Sequence, residues 1–314
     1  ENHFASLLKL LKEPQEAIDF KKWCDQQNIP ESEQKSYLLW AFQKEVFLKL
    51  DDHDQKEIVF ILLHAFHYLE SKQQQTAHTL NLFLNILSSI SYEKRFIHWL
   101  YEYNNALIRI LDLCCNTTWL SRYLARYPIL FEELMESLEA SKPINHKTLN
   151  KSLNTLMDQP KTTEEQRLNL LRDFLHRNVL KIAMADFSGK VPLMIVSDYL
   201  SELADTLLNK ILRLAWHELS LKHGQPTSDK HANGRPDFII VAYGKLGGLE
   251  LGYQSDLDII FLHDAVEDQV TDGPNPILNS DFFIKLVQKV IHYVTAQTAS
   301  GRQYDVDLRL RPRG

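Results

Sequence analysis

The first 188 residues contain no glycine, and nine of the ten glycines in the 314-residue chain fall from Gly224 onward. Tight turns with positive φ lean on glycine, so a stretch of that length without one is poorly equipped for the hairpins of a sheet-rich domain. Helices joined by polar loops fit better, and the periodicity agrees. Thr163 and Gln166 have the spacing of a capping box. Behind them Leu171, Phe174, Leu175, Val179 and Ile182 recur at helical intervals, which predicts a helix over 163–185. A second long helix is predicted over 197–220, its buried stripe running through Leu200, Leu203, Ala204, Leu207, Leu208, Ile211, Ala215 and Leu219. Loops are predicted near 142–146, 157–161 and 189–192, and Gln73-Gln74-Gln75 reads as a polar loop.

The pattern changes after His223. Residues 224–236 are polar and carry Pro and Gly, which makes them a loop. The short apolar run 238–242 between Pro236 and Gly244 reads as a buried strand. A second strand is predicted over 256–262. An amphipathic helix follows over 281–298, with Ser280 as its N-cap and Phe283, Leu286, Val287, Val290, Ile291 and Val294 inward. A third strand is predicted over 304–310, where Tyr304, Val306, Leu308 and Leu310 alternate with Asp305, Asp307 and Arg309. The chain therefore reads as multi-domain: all-helical over 1–190, then an α/β or α+β unit over 191–314.

Composition narrows the function. With 44% hydrophobic and 24% charged residues, the chain has the profile of a soluble globular protein. A net charge of −6 argues against a grip on nucleic acid, which needs a basic surface. It leaves a magnesium-nucleotide or another protein as partner. Cys24, Cys114 and Cys115 form no CxxC spacing and read as reduced thiols of a cytoplasmic protein. No stretch approaches the ~18 apolar residues of a membrane span, and the opening Glu1-Asn2-His3-Phe4 is not a secretory signal. The lack of an initiator Met and the ending Arg311-Pro312-Arg313-Gly314 suggest a piece of a longer protein, cut near its C-terminal side.

Three features in the last third carry chemistry. The first is the turn Gly244-Lys245-Leu246-Gly247-Gly248, whose glycines would let backbone N–H groups approach a phosphate. It matches neither a P-loop nor GxGxxG. The second is Ser255-Asp256-Leu257-Asp258. On a strand, i and i+2 share a face, so the two residues would stand roughly 6–7 Å apart at Cα, and carboxylates that close repel by about 3 kcal/mol at an effective dielectric near 20. A bound Mg²⁺ reverses that sign; an acidic, solvated strand end is the plainer alternative. The third is Asp307 on the polar face of the third strand, a further carboxylate of the kind two-metal phosphoryl transfer requires. Its alternative is a surface Asp paired with Arg309. Arg309 could also pair with Asp305, or with Lys245 neutralise phosphates. His64 and His67, i and i+3 on a helix, read as core or surface histidines rather than metal ligands, and Trp40, Phe60, Phe66, Trp99 and Trp119 read as core.

The order of these features resembles the DNA polymerase beta-like nucleotidyltransferase superfamily, in which a strand ends in Gly-Gly or Gly-Ser, a spaced Asp pair follows and a later strand adds a third acid. Lys245 departs from the small residue usual after Gly244. Gly244 through Leu251, Ser255 through Phe261, and Val306-Asp307-Leu308-Arg309-Leu310-Arg311-Pro312 together resemble the glutamine synthetase adenylyltransferase/adenylyl-removing family. That family has an AMP-removing and an AMP-adding half. Leu124-Ala125-Arg126-Tyr127-Pro128, Val196-Ser197-Asp198 and Val241 through Asp264 look more like the adding half.

The resemblance implies a small mixed sheet flanked by helices, incomplete at its C-terminal end, over 191–314, with 1–190 as a linker or regulatory region. It implies AMP transfer from ATP to a tyrosine hydroxyl of glutamine synthetase, with two Mg²⁺ ions held by Asp256, Asp258 and Asp307. Gly244, Lys245, Gly247, Gly248, Ser255 and Arg309 would bind the nucleotide. The nitrogen-regulatory PII protein and glutamine would be effectors, with no nucleic acid or membrane partner. Phosphorolytic AMP removal, or an inactive regulatory helical fragment, remain the alternatives.

Overall fold

The computed structural model describes residues 2–13, 16–73, 76–136, 146–157, 163–189, 191–230, 234–266, 268–297 and 302–309. The chain divides into two compact units, Glu1–Leu138 and Glu139–Gly314.

The described residues of the first unit are helical: α1 (Asn2–Lys12), α2 (Ala17–Gln26), α3 (Ser32–Glu45), α4 (Asp52–Ser71), α5 (Ala77–Ile90), α6 (Lys94–Glu102), α7 (Asn104–Asn116), α8 (Thr118–Arg126) and α9 (Leu130–Glu136), with a 3₁₀ turn at Phe47–Lys49. Lacking glycine, this unit turns its chain on other residues. Asn28, Glu31 and Gln73 take left-handed conformations at φ 52, 55 and 55, each at a cost of roughly 1 kcal/mol. Side-chain caps help offset it. Asp51 accepts bonds from the N–H groups of His53 and Asp54 at the start of α4, and Thr76 accepts from Thr79 at the start of α5. Leu7, Leu11, Phe20, Phe47, Ile58, Leu62, Phe83 and Phe96 are buried and make the core. Cys24 and Cys114 are buried free thiols and Cys115 is partly exposed. His64 and His67 lie exposed on α4.

The second unit contains α10 (His146–Met157), α11 (Glu164–Phe187), α12 (Leu193–His223), β1 (Phe238–Ala242), the single turn α13 (Gly244–Gly247), β2 (Leu257–His263), α14 (Asn279–Thr295) and β3 (Val306–Asp307). The capping box of Thr163 and Gln166 is formed, with both reciprocal bonds at the head of α11. The sheet has the order β1-β2-β3. β1 pairs antiparallel with β2, and β2 pairs parallel with β3, so the sheet is small and mixed. Its aromatic layer joins sheet to helices. Phe238 stacks on Phe283 of α14 at 5.4 Å, and Trp216 of α12 meets Phe282 edge-on at 5.3 Å.

Several elements differ from the sequence reading. β1 is half-buried rather than buried, with Ile239 53% exposed. It is an edge strand packed on one face, and a continuous apolar run alone does not distinguish that from a strand covered on both. α12 begins at Leu193, four residues before the predicted start, because Pro192 fixes its entry while exposed Leu193 and Met194 lie off the buried stripe. α14 begins at Asn279 behind Leu278, so Ser280 is not its cap. Asn279 is buried instead and donates its side-chain amide to the carbonyl of Thr227. Phe282 and Tyr293 also lie on the buried face of α14, whereas Val287 and Ile291 are only partly covered.

The third strand is only two residues long. Tyr304 donates its N–H to the carbonyl of Val294 at the end of α14 rather than to the sheet. After Asp307 the backbone N–H of Arg309 turns back onto the Asp307 carboxylate, a local bond that competes with strand pairing. Leu310, Thr298 and residues 142–145 and 158–161, on which sequence expectations also fall, lie outside the described residues.

Candidate active site

The parallel pairing of β2 with β3 sets Asp258 directly beside Asp307, as register partners. Adjacent strands run about 4.8 Å apart, so the two side chains emerge as neighbours. Asp256 stands two residues before Asp258, just ahead of β2, and points to the same side. The result is one cluster. A carboxylate oxygen from each of Asp256, Asp258 and Asp307 lies within 4.8 Å of the others. Asp256 is exposed and the other two are partly covered, so the cluster opens to solvent. The β3 end of the site is anchored by main chain, since Leu257 donates its N–H to the carbonyl of Asp305 at 2.9 Å.

The glycine turn closes against this cluster. Tyr243 donates its N–H to the carbonyl of Asp258, and Gly244 follows at φ +57, a left-handed conformation that L side chains rarely adopt. A Cβ on Gly244 would sit 2.1 Å from Asp258 Oδ2, so the backbone passes against the carboxylate at a distance only glycine permits. Gly247 is also held closely, where a Cβ would meet the Ala242 carbonyl at 2.7 Å. From Gly244 the chain makes the turn α13, and a helix start leaves its first N–H groups without intrahelical partners. Lys245 and Gly248 lie exposed on this turn. Ser255 is partly covered, and its hydroxyl oxygen accepts the N–H of Gly252 at 3.0 Å, closing the loop that leads into β2.

Arg309 grips Asp307. Its Nε donates to Asp307 Oδ1 at 2.9 Å and its terminal nitrogen to Oδ2 at 2.8 Å, a bidentate pair. Of the two acidic partners open in the sequence, Asp307 takes this bidentate grip, while Asp305 pairs with Arg302. The bond to Asp307 raises the guanidinium above its ordinary range. Tyr243 extends the clamp by donating its hydroxyl to the Arg309 carbonyl at 2.7 Å. Neither tyrosine near the site was singled out in the sequence. Tyr243 directly precedes Gly244, which was the available signal. Tyr253, between the glycine turn and the acidic pair, donates its hydroxyl to Asp186 of α11 at 2.8 Å. Burial, then that bond, pushes the Tyr253 phenol upward. That tie joins residues far apart in sequence and left no local signal.

Comparison with known proteins decides the family. The family model described as glutamate-ammonia ligase adenylyltransferase matches residues 107–314, the whole of the glycine turn and the acidic cluster included. The chain belongs to the glutamate-ammonia ligase adenylyltransferase family. Its curated relatives are named bifunctional glutamine synthetase adenylyltransferase/adenylyl-removing enzymes. That of Pseudomonas putida is 40% identical over 232 residues, 74% of this chain and 24% of the relative. That of Thioalkalivibrio sulfidiphilus is 39% identical over 240 residues, 75% of this chain and 24% of the relative. That of Vibrio parahaemolyticus is 38% identical over 232 residues, with 74% and 24% covered. The matched part of the chain spans about a quarter of the length of these adenylyltransferase relatives. Among the described residues no helix is long and apolar enough to cross a membrane.

Proposed function

We propose that this chain carries an AMP-adding catalytic core of the family, built on a polymerase-beta-like nucleotidyltransferase fold, and transfers AMP from ATP to a tyrosine hydroxyl of glutamine synthetase. The observation that carries the reading is the single cluster of Asp256, Asp258 and Asp307 against a glycine turn in a chain of this family. On this reading 191–314 is the catalytic core and 1–190 a linker or regulatory region. The protein is cytoplasmic and answers to the nitrogen-regulatory PII protein and to glutamine.

The donor set fits Mg²⁺. Three carboxylates that converge from two strands and a strand entrance repel one another, and an all-oxygen cluster open on one side suits a hard dication that also takes phosphate oxygens. Asp256, Asp258 and Asp307 would hold it. When bound, two such ions neutralise phosphate charge and favour the ionised form of the attacking hydroxyl.

The chain's own groups do the rest. The N–H groups at the head of α13 bind the β- and γ-phosphates, with Lys245 and the Ser255 hydroxyl beside them. Arg309, exposed apart from its pairing with Asp307, would supply positive charge toward the phosphates. The tyrosine oxygen attacks the α-phosphorus, the bond from that phosphorus to the bridging oxygen breaks, and pyrophosphate leaves with the electron pair. The hydroxyl proton passes to solvent. The segments Leu124 through Pro128, Val196 through Asp198 and Val241 through Asp264 favour the adding direction.

Phosphorolytic removal of AMP uses the same carboxylates, so the test must run both ways. Asp256→Asn is expected to abolish AMP transfer from labelled ATP to glutamine synthetase and to leave phosphate-dependent AMP release by the whole enzyme intact. Loss of release with transfer intact would assign the chain to the removing half. No effect on either would overturn the reading of the acidic cluster.

A further inference from the structure

A second titratable cluster lies in the first unit, ahead of residue 107 where the family match begins. The first turns of α4 present His53, Asp54 and Glu57 to α6, which brings Lys94, Arg95 and His98; together with Asp51 they line an open cleft of about 300 Å³. Two carboxylates in it are almost dry: the Asp54 and Glu57 side chains are 6% and 5% exposed. His53 Nδ1 stands 3.8 Å from Asp54 Oδ1 and 3.8 Å from Glu57 Oε1. His98 Nδ1 lies 2.8 Å from Glu57 Oε1. Glu57 Oε2 is shielded from solvent and has no hydrogen-bond partner among the described residues.

The charges do not balance. Asp51, Asp54 and Glu57 face one ammonium, that of Lys94, which binds Asp51 and lies 3.4 Å from Asp54 Oδ2. Arg95 is taken by Glu93 and Glu132. Three carboxylates therefore face a single ammonium across the cleft, and buried carboxylates demand compensation. We propose that His53, Asp54 and Glu57 form a site for a divalent transition metal, with His98 donating to Glu57 and holding it in place. Tetrahedral zinc, at about 2.1 Å from each donor, sets its ligands roughly 3.4 Å apart, close to the separations from His53. A mixed imidazole and carboxylate set suits Zn²⁺, whereas Mg²⁺ prefers oxygen donors alone. His53 is 74% exposed at its side chain and gives the ion a way in. Asp54 splits its oxygens, one toward Lys94 and one toward the site.

The test is calorimetric titration of the chain with ZnCl₂ at neutral pH in an Asp256→Asn, Asp258→Asn background, which removes the other acidic cluster. One Zn²⁺ per chain is expected, undisturbed by excess Mg²⁺. His53→Ala and Glu57→Gln should abolish it, and His98→Ala should weaken it about 10- to 100-fold. His53 is exposed, so its variant should keep the parent's circular dichroism, and a His64→Ala, His67→Ala variant should bind as the parent does. Absence of saturable one-to-one binding would overturn the proposal, as would binding that survives His53→Ala or is lost with His64 and His67.

Discussion

Gly244 is the residue on which the geometry of the proposed active site turns, because its missing Cβ is what lets the glycine turn lie against Asp258. Gly244→Ala would need a left-handed alanine and would drive a methyl into the carboxylate. AMP transfer should fall about 100-fold, since a displacement on the order of 1 Å suffices for that. The midpoint of thermal denaturation should fall by only a few degrees, the cost of one left-handed L residue at the surface; a variant that melts near the parent and transfers AMP at the parent rate would sink the argument. Arg309 is the second test. Its guanidinium competes with any cation for Asp307. Arg309→Gln should therefore tighten Mg²⁺ binding in the absence of nucleotide and weaken ATP binding, both read by calorimetry. Weaker Mg²⁺ binding would mean that Arg309 orients the carboxylate rather than competing for it. The three acids and the glycines were legible in the sequence, because strand alternation and turn chemistry are local. That Asp258 and Asp307 are register partners was not, since no local pattern specifies which strand lies beside which.

Among the elements, the long helices could be read most directly. α11 starts at its capping box, and the predicted periodic stripe of α12 is buried except for Leu219, which is only partly covered. Caps act within one turn, and their effect can be isolated. Thr163→Ala removes the hydroxyl that accepts the Gln166 N–H, while the backbone N–H of residue 163 can still donate to the Gln166 side chain, and should cost about 1 kcal/mol. Faster amide hydrogen exchange confined to the first turn of α11 would report it; unchanged exchange there would mean the turn is held by its packing alone. The short strand was the element least legible in the sequence. Alternation over 304–310 predicted seven residues, but Asp307 uses its side chain to capture the N–H of Arg309, and Tyr304 bonds to α14. Both are bonds to groups that a strand pattern does not describe. α14 was misjudged for a related reason. Its buried first residue is an asparagine that satisfies loop carbonyls, so neither hydrophobicity nor capping preference marked the start.

At the scale of the whole molecule, the second unit ties its three longest helices with one ionic network, and that network gives its stability a pH dependence. Glu218 of α12 accepts from Arg167 of α11 at 2.7 Å, from the Tyr293 hydroxyl of α14 at 2.8 Å, and pairs with Lys289 of α14 at 2.7 Å. Burial pushes the Glu218 carboxyl up, but the bonds from Lys289 and Tyr293 and the charges of Lys289 and Arg167 outweigh it and hold the group below its ordinary range. A carboxyl whose pKa is depressed by folding stabilises the folded state above its unfolded pKa, near 4.3 for glutamate, and loses that contribution as pH falls through the folded value. Glu218→Gln keeps the shape and most of the hydrogen-bonding capacity but removes the charge. At pH 7 the variant should show faster hydrogen exchange across α12 and α14 than the parent, and the two should converge as pH falls beneath the ordinary glutamate range and through the depressed folded value, where the parent's carboxyl takes up its proton. The readout is local to the second unit, so the helices of the first unit do not enter it. A difference that persists unchanged at low pH would mean that Glu218 acts through shape and neutral hydrogen bonds, and that the charges of Arg167 and Lys289 contribute nothing to holding the helices behind the sheet together.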